Sequence, residues 1–266
     1  MNNIDEKTPV LEYSPFCDND TLFSTSNVSS RDYAGSIEYL IDSGSHGNIY
    51  KLRGQNICVK IFDSERISEC TNELDKLIYM KKYEKSPYVI ELIEYTKTLH
   101  SYELYFPIGQ CNLHEFIKNK VKPEFSVCDI MNNCINAIKF IHSVNLFHGD
   151  ISTDNFVYFE SDNTFKLIDF GISHILDEGT MDNTIEPRNL YKLNYRPLEL
   201  LYRQYFIPRK TEIWALGCVL YFILYESLPY IGDSENSVML SIWVNNTQVL
   251  VPPLDHMLCD EKKRSY

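Results

Sequence analysis

A chain of 266 residues, 44% of them apolar, has room for one large domain or two small lobes around a cleft, with ample material for a packed core. Its net charge of −12 argues against phosphate-backbone binding as the main task, because nucleic-acid binders carry basic surface, and it fits plain solubility. Eight cysteines (Cys17, Cys58, Cys70, Cys111, Cys128, Cys134, Cys218 and Cys259) form no C-x-x-C pair, so free thiols in a reducing compartment are expected ahead of disulfides or zinc.

The first eight residues are polar and acidic, unlike a signal peptide. Residues 1–36 are rich in Asn, Asp, Ser and Thr, and they read as a partly disordered extension on which Tyr13, Phe16 and Phe23 can dock. From Ile37 the texture changes. Ile37–Ile41, Asn48–Leu52 and Ile57–Phe62 are strand candidates separated by the turns Asp42–Gly47 and Arg53–Asn56. A helix is expected from Glu65 to Tyr83, with Cys70, Leu74, Leu77, Ile78 and Lys81 at helical spacing. Tyr88–Tyr95 and Tyr102–Ile108 read as two more strands.

The remainder is mostly helical. Asn112 with Glu115 opens a short helix through Ile117, and Ser126 with Asp129 opens a longer one striped by Val127, Ile130, Met131, Cys134, Ile138 and Ile141. Short strands follow at Phe156–Tyr158 and Phe165–Leu167, then a polar segment from Gly171 to Leu193. Thr211–Tyr225 reads as a helix buried on all sides, its apolar run too short for the ~20 residues of a bilayer span. A last helix is expected near Val238–Asn245. A soluble, intracellular protein is the resulting expectation.

Two stretches stand out as carriers of chemistry. His148-Gly149-Asp150-Ile151-Ser152-Thr153-Asp154-Asn155 places a carboxylate and an amide on a tight loop. Lys166-Leu167-Ile168-Asp169-Phe170-Gly171 ends an apolar strand on a second carboxylate. Carboxylates and an amide converging from adjacent loops suit Mg²⁺ held on nucleotide phosphates and a hydroxyl oriented for attack. Together with Ile57-Cys58-Val59-Lys60, these residues resemble the catalytic loop, the D-F-G turn and the V-A-I-K strand of the protein kinases.

That resemblance covers about Ile37 to Arg264. It implies an α+β, bilobal fold with a small β-rich N-lobe bearing one helix (37–108) and a larger, mainly helical C-lobe (109–266). It implies transfer of the γ-phosphate of ATP to Ser/Thr hydroxyls of protein substrates, with Mg²⁺ as cofactor and neither nucleic acid nor membrane as partner. Lys60 would bond the α- and β-phosphates and Glu73 would fix its ammonium, with Glu69 one turn earlier as the competitor. Gly44 and Gly47 would let backbone amides approach the phosphates. Asp150 would serve as catalytic base, and Asn155 and Asp169 would hold Mg²⁺.

Departures from the family pattern are equally legible. Asp42 stands at the first glycine of the phosphate turn. Gly149 replaces the arginine that binds a phosphorylated activation segment, which implies weak dependence on phosphorylation at Thr180, Thr184 or Tyr191. Ser152 replaces the loop lysine, and no basic residue occurs from Ile151 to Asn155, which implies slow turnover or a cation from elsewhere. In Tyr195-Arg196-Pro197-Leu198-Glu199 only the glutamate of A-P-E is kept, with Arg264 as its expected partner. Glu212-Ile213-Trp214 resembles D-x-W with one extra methylene to absorb.

The loop is most similar to the vaccinia-related and casein kinase I branches, Tyr195-Arg196 is similar to the proline-directed group, and the Asn-, Ile- and Tyr-rich composition hints at a large DNA virus. Two other classes fit parts of the pattern. A pseudokinase accommodates Gly149, Ser152, Asp42 and Glu212. An aminoglycoside-kinase-type enzyme shares H-G-D but lacks the Phe-Gly turn, the segment ending in Glu and the Trp-bearing helix.

Overall fold

The computed structural model describes residues 37–44, 47–97, 101–121, 125–186, 188 and 190–247. The extension to residue 36, His46, Cys17, Cys259 and Arg264 lie outside the described residues.

Strands β1 (Ile37–Gly44), β2 (Gly47–Leu52), β3 (Ile57–Asp63), β4 (Glu94–Lys97) and β5 (Ser101–Pro107) form an antiparallel sheet in the order β1-β2-β3-β5-β4. Helix α1 (Ile67–Met80) lies between β3 and β4 in the chain. Its buried face is the expected stripe of Cys70, Leu74 and Leu77, but Glu73 and Lys76 are buried with it. A carboxylate on the apolar face is costly unless paired, so the packing itself marks Glu73.

The strand expected at Tyr88–Tyr95 is corrected. Only Glu94–Lys97 joins the sheet. Tyr88 and Ile90 bond instead to the end of β9 (Thr164–Leu167), through Leu167 N to Tyr88 O at 2.9 Å and Ile90 N to Leu167 O at 3.0 Å. A run of apolar residues satisfies its backbone groups wherever an open edge is offered, and here that edge belongs to the C-terminal part.

Both expected helix caps form. Asn112 Oδ1 accepts the Glu115 N–H at 2.8 Å to open α2 (Leu113–Lys118). Ser126 Oγ accepts the Asp129 N–H at 3.0 Å to open α3 (Val127–Ser143). The short β6 (Cys111–Asn112) pairs with β8 (Phe156–Phe159), and β8 pairs with β9. These strands and α3 frame the loop that carries Asp150. Further on are α4 (Leu198–Leu201), α5 (Pro208–Tyr225) and α6 (Glu235–Thr247).

Helix α5 begins three residues earlier than expected, with Pro208 at its first turn where a missing N–H costs nothing. It is not buried on all sides: Ile213 is 54% exposed and Gly217 is also on the open face. An evenly apolar sequence carries no directional signal, so the open side is set by its neighbours. Among the described residues no helix is long and apolar enough to cross a membrane.

Gly109 follows β5 and lies against β8. A Cβ there would fall 2.1 Å from Val157 Cγ1 and 3.2 Å from Tyr158 O. Gly109→Ala is therefore expected to cost about 1–3 kcal/mol by overpacking, read as a lower melting temperature. An unchanged melting temperature would show that Val157 moves aside freely.

Candidate active site

Lys60 is paired in register with Ile49 on one side and Leu104 on the other, near the centre of the sheet. Its Nζ lies 2.7 Å from Glu73 Oε2 and 3.2 Å from Asp169 Oδ1. Both Lys60 and Glu73 are buried, whereas the competitor Glu69 is exposed. Burial works against the charge of Lys60, but the two carboxylates outweigh it and hold the ammonium above the usual lysine range.

The loop after α3 is held at several points. The β7 strand (Leu146–Phe147) leads into His148, whose Nδ1 accepts the Asp150 N–H at 3.2 Å. Its Nε2–H therefore donates to Ile168 O, at 2.9 Å. One imidazole thus ties the Asp150 loop to the strand end before Asp169, and its ring meets Phe170 edge-on at 5.0 Å. Asn155 Nδ2 donates to Asp150 O at 2.7 Å and to Asp150 Oδ2 at 2.8 Å. Gly149 has φ +79°, and a Cβ would meet Leu190 Cδ2 at 3.1 Å, so the arginine of the family pattern would need a different backbone here.

Glu212 is fully buried beneath this loop. Its Oε1 accepts the N–H groups of His148 at 2.7 Å and Gly149 at 3.1 Å. Its Oε2 accepts from His142 Nε2. Arg209 donates to His142 Nδ1 at 3.1 Å, which assigns the proton of that ring to Nε2.

Asp169 adopts φ +63°, a left-handed conformation that aspartate tolerates better than most residues. Phe170 is fully buried beside it. Asn72 of α1 donates to Gly171 O, and Lys76 donates to Asn72, so the helix that carries Glu73 also grips the Phe-Gly turn.

The donor set suits Mg²⁺. With its N–H groups on Asp150, the Asn155 amide keeps Oδ1 as its acceptor, and Asp169 adds a carboxylate from the neighbouring loop. Among the described residues no group of three or more His, Cys, Asp or Glu can hold a metal. An ion bound through two protein oxygens takes its other ligands from phosphate and water, as Mg²⁺ does in phosphoryl-transfer sites.

Gly44 and Gly47 pair at the end of the β1–β2 hairpin, and Ile49 of that hairpin is the register partner of Lys60. Gly47 has φ +111°, which favours glycine. Asp42 is exposed, and its Oδ1 accepts the Ser43 N–H at 2.8 Å. The structure thus brings Lys60, Glu73, Asp169, Asn155 and Asp150 together, and it shows Gly44 and Gly47 on the adjoining hairpin.

The segment after Gly171 is anchored without phosphate. The short β10 (His174–Ile175) pairs with β7, Ile185 pairs with Phe206, and Asp182 binds Arg209 with two contacts of 2.6 and 3.2 Å. Tyr191, considered as a phosphorylation site, is buried with its OH 3.1 Å from Thr211 Oγ1, so it is not an accessible acceptor.

Arg188 donates to His174 Nε2 at 2.8 Å. Burial, then Arg188, then Lys76 lower the His174 pKa to about 4. A depressed value means that stability from this site is present above the unfolded histidine pKa, ~6.5, and is lost as pH falls toward 4. His174→Gln is expected to flatten the loss of melting temperature between pH 6.5 and 4. An identical slope in both proteins would refute the assignment.

With this geometry in view, the comparisons identify the class. The chain matches the Protein kinase domain family over residues 36–261, and it belongs to that family. It is 25% identical over 254 residues to calcium-dependent protein kinase 5 of Plasmodium berghei (strain Anka), covering 90% of this chain and 44% of that protein. It is 25% identical over 201 residues to CBL-interacting serine/threonine-protein kinase 2 of Arabidopsis thaliana, covering 72% of this chain and 43% of that one. It is 27% identical over 177 residues to dual specificity protein kinase Ttk of Danio rerio, covering 63% and 17%. The chain spans less than half the length of these curated relatives.

Proposed function

We propose that the chain is an active ATP-dependent protein kinase domain that transfers the γ-phosphate to Ser or Thr hydroxyls of proteins. The observation that carries this reading is the Lys60 ammonium set between Glu73 and Asp169 at 2.7 and 3.2 Å, on the same constellation as Asp150 and Asn155.

In this reading Glu73 orients Lys60, and the Lys60 ammonium holds the α- and β-phosphates of ATP. Gly44 and Gly47 let the hairpin backbone approach the phosphates. Asn155 and Asp169 would hold Mg²⁺, which when bound offsets charge on the β- and γ-phosphate oxygens. Asp150, its carboxylate oriented by Asn155, accepts the proton of the substrate hydroxyl. The hydroxyl oxygen bonds to the γ-phosphorus, the bond to the β–γ bridging oxygen breaks, and ADP leaves with that electron pair. Preference for Ser/Thr is carried over from the printed names of relatives such as the Arabidopsis kinase. The two lobes at 37–108 and 109–266, the likeness to the vaccinia-related and casein kinase I branches and an origin in a large DNA virus belong to the same proposal; the last two rest on loop sequence and composition.

The test is transfer of labelled γ-phosphate to casein-type protein, followed by phosphoamino-acid analysis, beside Asp150→Asn and Asp169→Ala controls. Transfer lost in both controls supports the reading. ATP binding without transfer in the wild type would favour the pseudokinase, which the absence of a cation at Ser152 also fits.

Regulation by phosphorylation of the activation segment has little support from the Asp182–Arg209 anchor and Gly149. The double variant Thr180→Ala/Thr184→Ala is expected to keep transfer within about threefold of wild type, well inside the 10³–10⁵ range of a lost phosphate-stabilising group. A loss beyond tenfold would refute that.

A further inference from the structure

We propose that Lys192 supplies the cation that faces the transferring phosphoryl group, in place of a basic residue within the catalytic loop. The inference rests on the phosphotransfer reading above.

The need is electrostatic. Charge spreads over the phosphoryl oxygens in transfer, and fixed positive groups aimed at them are the main source of acceleration. Asp150 and Asp154 both lie on the catalytic loop, and nothing basic lies from Ile151 to Asn155. Ser152 cannot substitute, because it is fully buried and its Oγ has no hydrogen-bond partner among the described residues. Lys60 is held between Glu73 and Asp169.

Lys192 comes from a different part of the chain, and its backbone is fixed against the loop. Its N–H donates to Asp150 Oδ1 at 3.2 Å. Next to it, Tyr191 N donates to Gly149 O at 2.8 Å. Tyr195 OH lies 2.8 Å from Thr153 Oγ1 and accepts the Thr153 N–H at 3.3 Å. Arg196 Nε closes the turn onto Leu190 O at 2.8 Å and Tyr191 O at 3.2 Å. The Cα of Lys192 is therefore held one peptide N–H from the carboxylate that takes the substrate proton.

Its ammonium is less confined. It lies 2.5 Å from Asp154 Oδ2, and both side chains are 44% exposed. An exposed pair of this kind contributes little to stability, so a phosphoryl group of higher charge can draw the ammonium away. A lysine on a flexible stem suits that shift better than a rigid guanidinium. During transfer Lys192 takes part in no bond change: it stabilises charge, while Asp150 takes the hydroxyl proton and ADP carries off the electron pair. The competing account is that Lys192–Asp154 is a surface ion pair that only fastens the segment to the loop, and the two accounts differ in what happens when Asp154 is neutralised.

The experiment uses the full chain as wild type, Lys192→Met, Lys192→Arg and Asp154→Asn. It measures kcat and KM for phosphate transfer, affinity for a fluorescent ATP analogue, and melting temperature. Lys192→Met is expected to lower kcat about a hundredfold, the scale of one lost transition-state donor, with analogue affinity and melting temperature unchanged. Lys192→Arg recovers a tenth or more of the rate, and Asp154→Asn does not lower kcat. Lys192→Met within threefold of wild type overturns the inference alone, as does an Asp154→Asn variant that falls as far as Lys192→Met. A wild type that binds the analogue but transfers nothing overturns both this inference and the reading beneath it.

Discussion

Lys60→Met will bring phosphate transfer down by about a hundredfold to a thousandfold or more, because in the proposed reaction it deletes a charge held on the phosphates. The same change takes the ammonium away from Glu73, a carboxylate only 3% exposed whose Oε2 lies 2.7 Å from it. Breaking one side of a buried ion pair costs about 3–5 kcal/mol, which for a domain of this size lowers the melting temperature by about 6–20 °C. The two effects are separable. Adding Glu73→Gln removes the buried charge that the ammonium offset, so the double variant is expected to recover most of the melting temperature and none of the transfer. Because the folded-state pKa of Lys60 is raised, the pair's contribution is complete below the ordinary lysine value and lost only as pH rises through the higher one. The stability difference between wild type and Lys60→Met is thus expected to hold from neutral pH to at least about 10. Transfer by Lys60→Met above a tenth of the wild-type rate would remove Lys60 from the proposed chemistry.

What could be read in the sequence was what local rules decide. Asn112 and Ser126 cap their helices because a side-chain oxygen three residues before an N–H needs no distant partner. The helical period narrows the partner of Lys60 to Glu69 or Glu73, which lie one turn apart on the same side of α1, and the fold selects Glu73 by burying it while Glu69 stays exposed. Distant contacts were not readable. The start of the expected strand Tyr88–Tyr95 looks like sheet, but Tyr88 and Ile90 bond to Leu167, a partner that no local pattern names. Lys192 reaches the catalytic loop from 42 residues beyond Asp150. The one sequence signal for it was negative, the lack of any cation from Ile151 to Asn155, which says that a replacement is needed without saying where it comes from. At position 212 the sequence shows an extra methylene, and only the fold shows His142, 70 residues earlier, receiving the second oxygen that the longer side chain delivers.

That arrangement makes Glu212→Ala the second large expected effect. The carboxylate has no exposure and serves three donors, the N–H groups of His148 and Gly149 through Oε1 and the ring of His142 through Oε2. Each buried donor left unsatisfied costs about 1–3 kcal/mol, so the loss is at least about 3 kcal/mol, or about 6–12 °C in melting temperature. Transfer should fall further than stability suggests. The two released amides belong to the two residues before Asp150, and a displacement of about 1 Å at a reacting group can cost a hundredfold. The conservative variants then order themselves. Glu212→Asp keeps the charge but cannot span both the amides and His142, so it loses the ring contact and keeps the loop. Glu212→Gln keeps an acceptor for the amides but turns an NH₂ toward His142 Nε2–H, a donor facing a donor, because Arg209 already occupies the other ring nitrogen. Melting temperature is therefore expected to fall in the order wild type, Asp, Gln, Ala. Transfer in Glu212→Asp should stay within about tenfold of wild type, since the amides that position Asp150 are still held. A Gln variant as stable as wild type would show that the His142 ring is free to reverse. An Ala variant with full transfer would show that the loop holds Asp150 in place without the glutamate.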